Sequence, residues 1–178
     1  MLINEAQREV RSIYLGGSIG QAVSAVIWVI ASSISTWHSH TFGMAALVIG
    51  GFFIFPLTTL VLRLLKRKSG LSKNNPFRAL AIQIAFVLPP SMFLLVPVVM
   101  FRPSWFYPGA MILVGAHYLP FATLYGQKSF LALSAILVSS GVLIGIFMPN
   151  ALSIGGWLAA SVLLAFAFIE QAEAQRAP

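Results

Sequence analysis

The sequence predicts an all-α, polytopic membrane protein in which six transmembrane helices form one bundle. Of the 178 residues, 58% are hydrophobic and only 8% are charged, whereas soluble domains carry about 25% charged residues. Aspartate is absent, and all four glutamates lie near the two chain ends. Six stretches are apolar over the roughly 20 residues that a helix needs to cross the hydrocarbon core. These observations together exclude a soluble globular domain.

The chain begins with residues 1–14, which predict a short amphipathic helix rather than a signal peptide. Glu5 and Glu9 interrupt the positively charged region that a signal peptide needs. Apolar residues recur at helical spacing from Leu2 to Ile13, and polar side chains occupy the opposite face. Two interpretations stay open: a helix lying in the membrane interface, or a straight extension of the first span.

The predicted spans follow one another closely and form a single domain over residues 1–178. They cover about residues 15–36, 42–65, 79–101, 105–126, 129–148 and 152–169. A basic loop, residues 66–78, separates the second span from the third. Trp37 and Trp105 mark the outer ends of spans one and four, because amphipathic rings prefer the membrane interface.

The positions of the cations predict the orientation of the chain, since Lys and Arg collect on the cytoplasmic side. With a cytoplasmic N-terminus, ten of the eleven cations lie inside and Arg102 alone lies outside, so we expect both chain ends in the cytoplasm. The net charge of +7 therefore indicates contact with anionic headgroups, and no nucleic-acid partner is expected. The residues expected to contact headgroups are Arg63, Lys66, Arg67, Lys68 and Lys73.

Five prolines predict helix kinks in spans two, three and four. Each removes an N–H donor and clashes with the carbonyl one turn earlier, and inside a membrane the freed carbonyls need partners in protein or water. These three spans are therefore where we expect a cavity to open, and static kinks that only shape the bundle are the alternative interpretation. The kink residues are Pro56, Pro89, Pro90, Pro97 and Pro120.

His117 is the ordinary titratable side chain nearest the middle of the membrane, and ionisable residues at that depth are functional candidates. We predict a polar pocket between spans one, three and four. Its hydrogen-bonding residues would be Gln21, Gln83, His117, Tyr118 and Tyr125. Since no carboxylate is expected nearby, a neutral or anionic solute is favoured. The alternative is a neutral histidine that hydrogen-bonds to a second helix and serves only packing.

No cofactor motif and no complete metal-ligand set is present in the sequence. His38 and His40 form an H-x-H pair, but no Cys, Asp or Glu lies near to complete a site. Residues 138–141 resemble part of the serine motif of rhomboid proteases, with Ser139 at a depth similar to that of His117. The motif lacks its leading glycine, and the histidine precedes the serine. We therefore expect no enzyme, with an intramembrane hydrolase as the alternative.

Four segments resemble a family of small, uncharacterised bacterial integral membrane proteins of unknown function. They are Tyr14-Leu-Gly-Gly-Ser-Ile-Gly-Gln21, Ile27-Trp28, Phe55-Pro56 and Gly115-Ala-His-Tyr-Leu-Pro-Phe121. The resemblance implies a location in the bacterial inner membrane, and it carries over no catalytic or binding residues.

The function expected from the sequence is non-enzymatic binding or transport of a small solute through the pocket. The alternative is a structural or assembly protein that binds lipid, partner helices or further copies of itself. The six-span format also resembles the substrate-binding components of vitamin uptake systems, which dock through an A-x-x-x-A face on span one. Gly20 and Ser24 are the nearest equivalent, so a membrane subunit of a larger transporter is a further alternative.

Overall fold

The computed structural model describes residues 1–67, 70–148, 150 and 152–176. All regular secondary structure in these ranges is helical. The helices are α1 (Ile3–Tyr14), α2 (Ser18–Trp37), α3 (His40–Leu64), α4 (Arg78–Ser91), α5 (Leu95–Phe101), α6 (Phe106–Tyr125), α7 (Ser129–Phe147) and α8 (Ile154–Arg176). A 3₁₀ turn, Met92–Leu94, joins α4 to α5, so that these two helices form one interrupted span.

Five helical stretches in the described part of the chain are long and apolar enough to cross a membrane. They are Ile3–Trp37, His40–Leu64, Arg78–Phe101, Ser129–Phe147 and Ile154–Gln175. The sixth helix of the bundle, α6, has 20 residues; it carries His117 and several tyrosines and packs against α7, α4 and α8. The protein is an all-α, polytopic membrane protein, as predicted.

Successive spans run in opposite directions, so every second connection between spans lies at the same end of the bundle. One end carries α1, residues 65–67 and 70–77, and residues 126–128. We call it the basic end, because the exposed cations Arg63, Lys66, Arg67, Lys73, Arg78 and Lys128 lie there. Arg102 lies at the opposite end, between α5 and α6.

α1 is a separate helix, because the backbone breaks sharply between it and α2. Leu15, Gly16 and Gly17 all have positive φ angles, of 51°, 67° and 92°. Glycine adopts this left-handed region without a steric penalty, and it often ends a helix there. The chain therefore turns at residues 15–17 before α2 begins, and α1 is a helix in its own right at the start of the first span.

Close helix approaches at glycine fix the register of the bundle. An ideal Cβ built on Gly43 would lie 2.7 Å from the Ala31 backbone oxygen, and one on Gly156 would collide with Ser32 Oγ. In lipid, where little hydrophobic force acts between helices, small residues allow the backbone contacts that hold spans together. These glycines thus place α3 and α8 on two sides of α2.

The core is formed mainly by α2, α6, α7 and α8, while α3 and α4 lie at the edge. Trp28, Tyr107 and Phe130 are the largest fully buried side chains. By contrast, α3 and α4 turn most of their large apolar side chains outward, and they contact each other only sparsely. This loose packing of α3 against α4 leaves space beside α2 and α6.

Candidate ligand-binding site

A cavity of about 390 Å³ lies between α2, α3, α4 and α6. Its volume falls within the range of about 300–1,000 Å³ that is typical of ligand pockets. Two of the predicted kink residues, Pro56 of α3 and Pro89 of α4, line it. Gly51 also lines it, and a Cβ at Gly51 would meet no atom within 4 Å. The cavity therefore lies where the proline-containing helices α3 and α4 border α2 and α6.

Four of the five predicted pocket residues line this cavity together: Gln21, His117, Tyr118 and Tyr125. Gln83 does not. It is exposed on α4, while the next residue, Ile84, is the buried residue of that helix. Each residue in an α-helix turns the side-chain direction by about 100°, so Ile84 faces the bundle and Gln83 points away. The prediction that Gln83 contributes to the pocket is therefore wrong.

Gln21 is the most unusual polar residue of the cavity wall. Its side chain is 1% exposed, and neither its amide nitrogen nor its amide oxygen has a hydrogen-bond partner among the described residues. Leaving a buried polar group unpaired costs about 1–3 kcal/mol, and such a group calls for an explanation such as a bound molecule. Gln21 offers that molecule both a donor and an acceptor.

His117 takes part in ring contacts rather than in a hydrogen bond to another helix. Its imidazole meets Phe121 at 5.2 Å and Tyr118 at 5.9 Å between ring centroids, both edge to face. No hydrogen bond of its ring nitrogens is found within the described ranges of the chain. The structural interpretation, in which His117 ties two helices together by a hydrogen bond, therefore has no such bond to support it.

α1 closes the basic end of the cavity. Tyr14, at its last turn, lines the cavity beside Tyr125. Gln7 Nε2 donates to the Thr123 backbone oxygen at 2.7 Å, and Arg11 donates to the backbone oxygen of Tyr125. These bonds satisfy carbonyls at the C-terminus of α6, which have no partners within the helix. α1 is thus fastened to α6 directly below the cavity.

Asn75 fastens α1 from the other side. Its Nδ2 donates to the Ala6 backbone oxygen at 3.1 Å and to Glu9 Oε2 at 2.8 Å. Glu9 also accepts hydrogen bonds from the backbone and side chain of Ser72. Asn75 is 4% exposed, so the connection between α3 and α4 is folded onto α1. The sequence analysis missed this role, because an isolated Asn-Pro pair predicts only a turn.

Glu170 is a further residue that the sequence analysis missed. The predicted span six ends at residue 169, but α8 continues to Arg176 and Glu170 is 0% exposed. Neither of its carboxylate oxygens accepts a hydrogen bond within the described part of the chain. The nearby Ser129 hydroxyl donates instead to Glu173 Oε2, at 3.0 Å. The expectation of an interior without a carboxylate is therefore wrong.

A pattern in the sequence could have indicated this burial. Gly156 and Leu163 precede Glu170 at intervals of seven residues, which is about two helical turns, and both are buried. The buried stripe of α8 thus runs on into the segment where polar residues begin, and Glu170 lies on the stripe while Glu173 does not.

Residues 3–172 match the family described as "Family of unknown function (DUF7010)". The chain belongs to this family. The match confirms the predicted membership of an uncharacterised family over nearly the whole chain. No curated protein and no solved structure matches the chain. Belonging to DUF7010 therefore gives no activity, and the functional argument depends on the site itself.

In this member of DUF7010, the remaining kink prolines lie around the cavity rather than in its wall. Pro90 directly precedes the last residue of α4, and Pro97 lies in α5, beyond the 3₁₀ turn that interrupts the span. Pro120 lies in α6 between His117 and Phe121. These prolines interrupt the helical hydrogen bonding of α4, α5 and α6.

The other candidates from the sequence lie outside the cavity. Ser139 is exposed on α7, and its hydroxyl donates to the Ile136 backbone oxygen at 3.3 Å. At the end opposite the basic end, His40 Nδ1 hydrogen-bonds to Ser35 Oγ at 2.7 Å, and His38 stacks on Phe42. These side chains have local partners and face away from the site between α2 and α6.

The cations predicted to contact headgroups lie together at the basic end. Arg63, Lys66, Arg67 and Lys73 are all exposed, and Lys68 lies outside the described residues. Arg67 also donates to the Ser12 backbone oxygen at 3.0 Å. Positive charge therefore surrounds α1 at the basic end.

Proposed function

We propose that this protein binds a small solute in the cavity between α2, α3, α4 and α6 and does not act as an enzyme. The observation that carries the proposal is Gln21, which lines the cavity with a buried amide that has no partner of its own. Ser24 and Tyr118 carry hydroxyl groups and lie in the same wall. A solute that both donates and accepts hydrogen bonds would satisfy this wall.

The kinked helices support a role in transport as well as in binding. Pro56 and Pro89 lie where α3 and α4 border the cavity, and a proline lacks the hydrogen bond that stiffens a helix. α3 and α4 are also the helices least enclosed by the bundle. Movement of these two helices would open the cavity without disturbing the core of α2, α6, α7 and α8.

We further propose that the protein lies in a bacterial inner membrane with the basic end in the cytoplasm. The exposed cations at that end, against Arg102 alone at the other, support this orientation. Anionic headgroups would surround α1, each exposed cation contributing about 1 kcal/mol of attraction. No step of the solute proposal depends on this orientation.

Substitution of Gln21 tests the proposal, with Gln83 as the matched control. The two residues have the same side chain, but Gln83 faces outward. Native mass spectrometry of protein released from its own membrane in mild detergent should show a bound small molecule on the wild type and on Gln83→Leu. We expect at least a tenfold loss of this adduct on Gln21→Leu.

Stability provides the second readout of the same variants. Removing an unpaired buried amide should stabilise the ligand-free protein by about 1–3 kcal/mol, so Gln21→Leu should unfold at a higher temperature while it loses the ligand. Equal adducts on both variants, or none on the wild type, would contradict the proposal. The alternative of a structural or assembly protein, or of a subunit within a larger transporter, would then be favoured.

A further inference from the structure

Unpartnered polar atoms concentrate at one place in the bundle. Among the described residues, eight buried side-chain nitrogen or oxygen atoms have no hydrogen-bond partner. Five of them belong to Ser18, Gln21 and Glu170. Native proteins pair nearly all such atoms, and a group of exceptions needs a specific cause. These three residues therefore form one group of buried polar atoms that no described residue pairs.

The antiparallel packing of α2 against α8 brings Ser18 and Glu170 to the same level. Gly156 of α8 lies against Ser32 of α2. Ser18 lies fourteen residues before Ser32 in α2, and Glu170 lies fourteen residues after Gly156 in α8. Because the two helices are antiparallel, both steps run toward the same end of the bundle. The close approach of Gly16 to the Glu170 backbone oxygen, at 2.7 Å from an ideal Cβ, agrees with that register. Gln21 lies one helical turn further along the same side of α2.

Two tyrosines connect this group to the cavity. Tyr118 and Tyr125 line the cavity, as does Gly17. An ideal Cβ on Gly17 would lie 3.4 Å from the Tyr125 ring, and one on the adjacent Gly16 would lie 2.7 Å from the Glu170 backbone oxygen. Glu170 is fully buried and lies next to this wall without lining the cavity. No Lys, Arg, Asp or Glu is among the described residues that line the cavity, so the Glu170 carboxyl is the acidic group placed to influence the potential there.

The apolar part of the cavity continues toward the other end of the bundle. A second cavity, of about 400 Å³, lies between α3 and α4–α5 and is almost entirely apolar. The two cavities share Val48, Phe52, Pro89 and Met92 in their walls. The two cavities are therefore neighbours: the first has polar and aromatic residues in its wall, and the second is apolar and lies between the two loosely packed spans.

We propose that the ligand is a lipophilic organic cation, whose charge lies against Tyr118 and Tyr125 and is balanced by Glu170. A buried carboxylate is costly unless a counter-charge accompanies it, and no described cation forms an ion pair with Glu170. Aromatic faces also attract cations through the negative potential above the ring. The apolar body of the ligand occupies the space toward α5.

This inference rests on the proposed function, and it changes the expected charge of the solute. From the sequence alone, a neutral or anionic solute is favoured, because no carboxylate is expected in the interior. Burial of Glu170 reverses that expectation. The cationic ligand supplies the counter-charge that no described residue places beside this carboxyl.

Two ions of nearly equal size and opposite charge provide the test. Binding of radiolabelled tetraphenylphosphonium to the purified full chain should be saturable, and tetraphenylborate in excess should displace it at least tenfold less well than unlabelled tetraphenylphosphonium. Glu170→Gln should weaken tetraphenylphosphonium binding about tenfold or more, since opposite charges attract strongly in a low-dielectric environment. Glu173→Gln, three residues along the same helix and exposed, should change it less than twofold.

If Glu170→Gln does not fold, the displacement of tetraphenylphosphonium from the wild type by the two ions still tests the charge preference. Equal displacement by tetraphenylborate, or unchanged affinity in Glu170→Gln, would overturn it. Triphenylphosphine oxide, a neutral compound of similar shape, separates the two proposals. Saturable binding of this compound with no preference for the cation would overturn only the charge assignment. Absence of binding by all three compounds would count against the cavity as a binding site as well.

Discussion

At the scale of single residues, glycines determine how closely the helices of this bundle approach. Gly43 of α3 lies against α2 so tightly that an ideal Cβ would be 2.5 Å from the Ser35 Cβ. Gly51, two turns further along the same helix, borders the cavity and has no atom within 4 Å of such a Cβ. A side chain at Gly43 would therefore clash with α2, whereas a side chain at Gly51 would have free space.

Alanine substitutions should separate these two roles. Gly43→Ala forces α2 and α3 apart, and we expect it to destabilise the protein by about 1–3 kcal/mol. Gly51→Ala has free space and should stabilise α3 by about 0.5–1 kcal/mol, because alanine loses less backbone entropy than glycine. Thermal unfolding of both variants in one detergent measures the difference. Equal melting temperatures would show that the tight α2–α3 contact does not limit stability.

The candidate polar residues could be recognised from the sequence more readily than the directions in which their side chains point. Gln21, Gln83 and His117 are recognisable as polar groups inside apolar spans, and that recognition needs only composition. The direction in which each side chain points depends on how its helix is rotated about its axis. Neighbouring residues of one helix face different ways, as exposed Gln83 and buried Ile84 show. A nearly uniformly apolar helix has too little difference in polarity between its faces to determine that rotation. The packing against neighbouring helices determines it instead.

At the scale of elements, α1 acts as a closure for the basic end. Its three buried residues, Ala6, Val10 and Ile13, face the bundle, and Asn75 ties it to the connection between α3 and α4. The amphipathic pattern predicted the helix itself. Its attachment could not be predicted, because its hydrogen-bond partners in the rest of the bundle lie 55 to 116 residues away in sequence.

Removal of Asn75 should loosen this closure. Asn75→Ala removes two hydrogen bonds to α1, one of them to a carboxylate, which weakens its docking by about 1.5–3 kcal/mol. Because the chain has no native cysteine, Val10→Cys provides a clean reporter that is buried when α1 is docked. Thiol labelling of Val10→Cys should speed up about tenfold or more in the Asn75→Ala background.

The neighbouring asparagine provides the control for this experiment. Asn74 is exposed and precedes the same proline turn, so Asn74→Ala should leave the labelling rate within about twofold of the reference protein. Similar rates in the Asn75→Ala and Asn74→Ala backgrounds would argue that the apolar face of α1, rather than Asn75, holds it in place.

At the scale of the whole molecule, the charges of the chain separate into two groups with different roles. The exposed cations lie around the basic end, while the carboxyl of Glu170 lies inside the bundle. We expect the first group to set the orientation in the membrane. We expect the second to influence the cavity, because charges interact strongly where the dielectric constant is low.

Cysteine labelling from outside intact cells tests the orientation. His38 and Asn74 are both exposed and lie at opposite ends of the bundle. A membrane-impermeant reagent should label His38→Cys in intact cells and should label Asn74→Cys only after the membrane is permeabilised. The reverse pattern would contradict the cytoplasmic assignment of the basic end.

The sequence by itself determined the class of this protein, its helices and the kinds of polar residue in its interior. Those properties follow from local hydropathy and from the chemistry of each residue, which need no knowledge of neighbours. The tertiary structure alone decided that α1 closes one end, that Gln83 faces outward and that Glu170 is buried beside the cavity. These facts depend on the register and rotation of packed helices, and glycines far apart in the chain set that register where they meet.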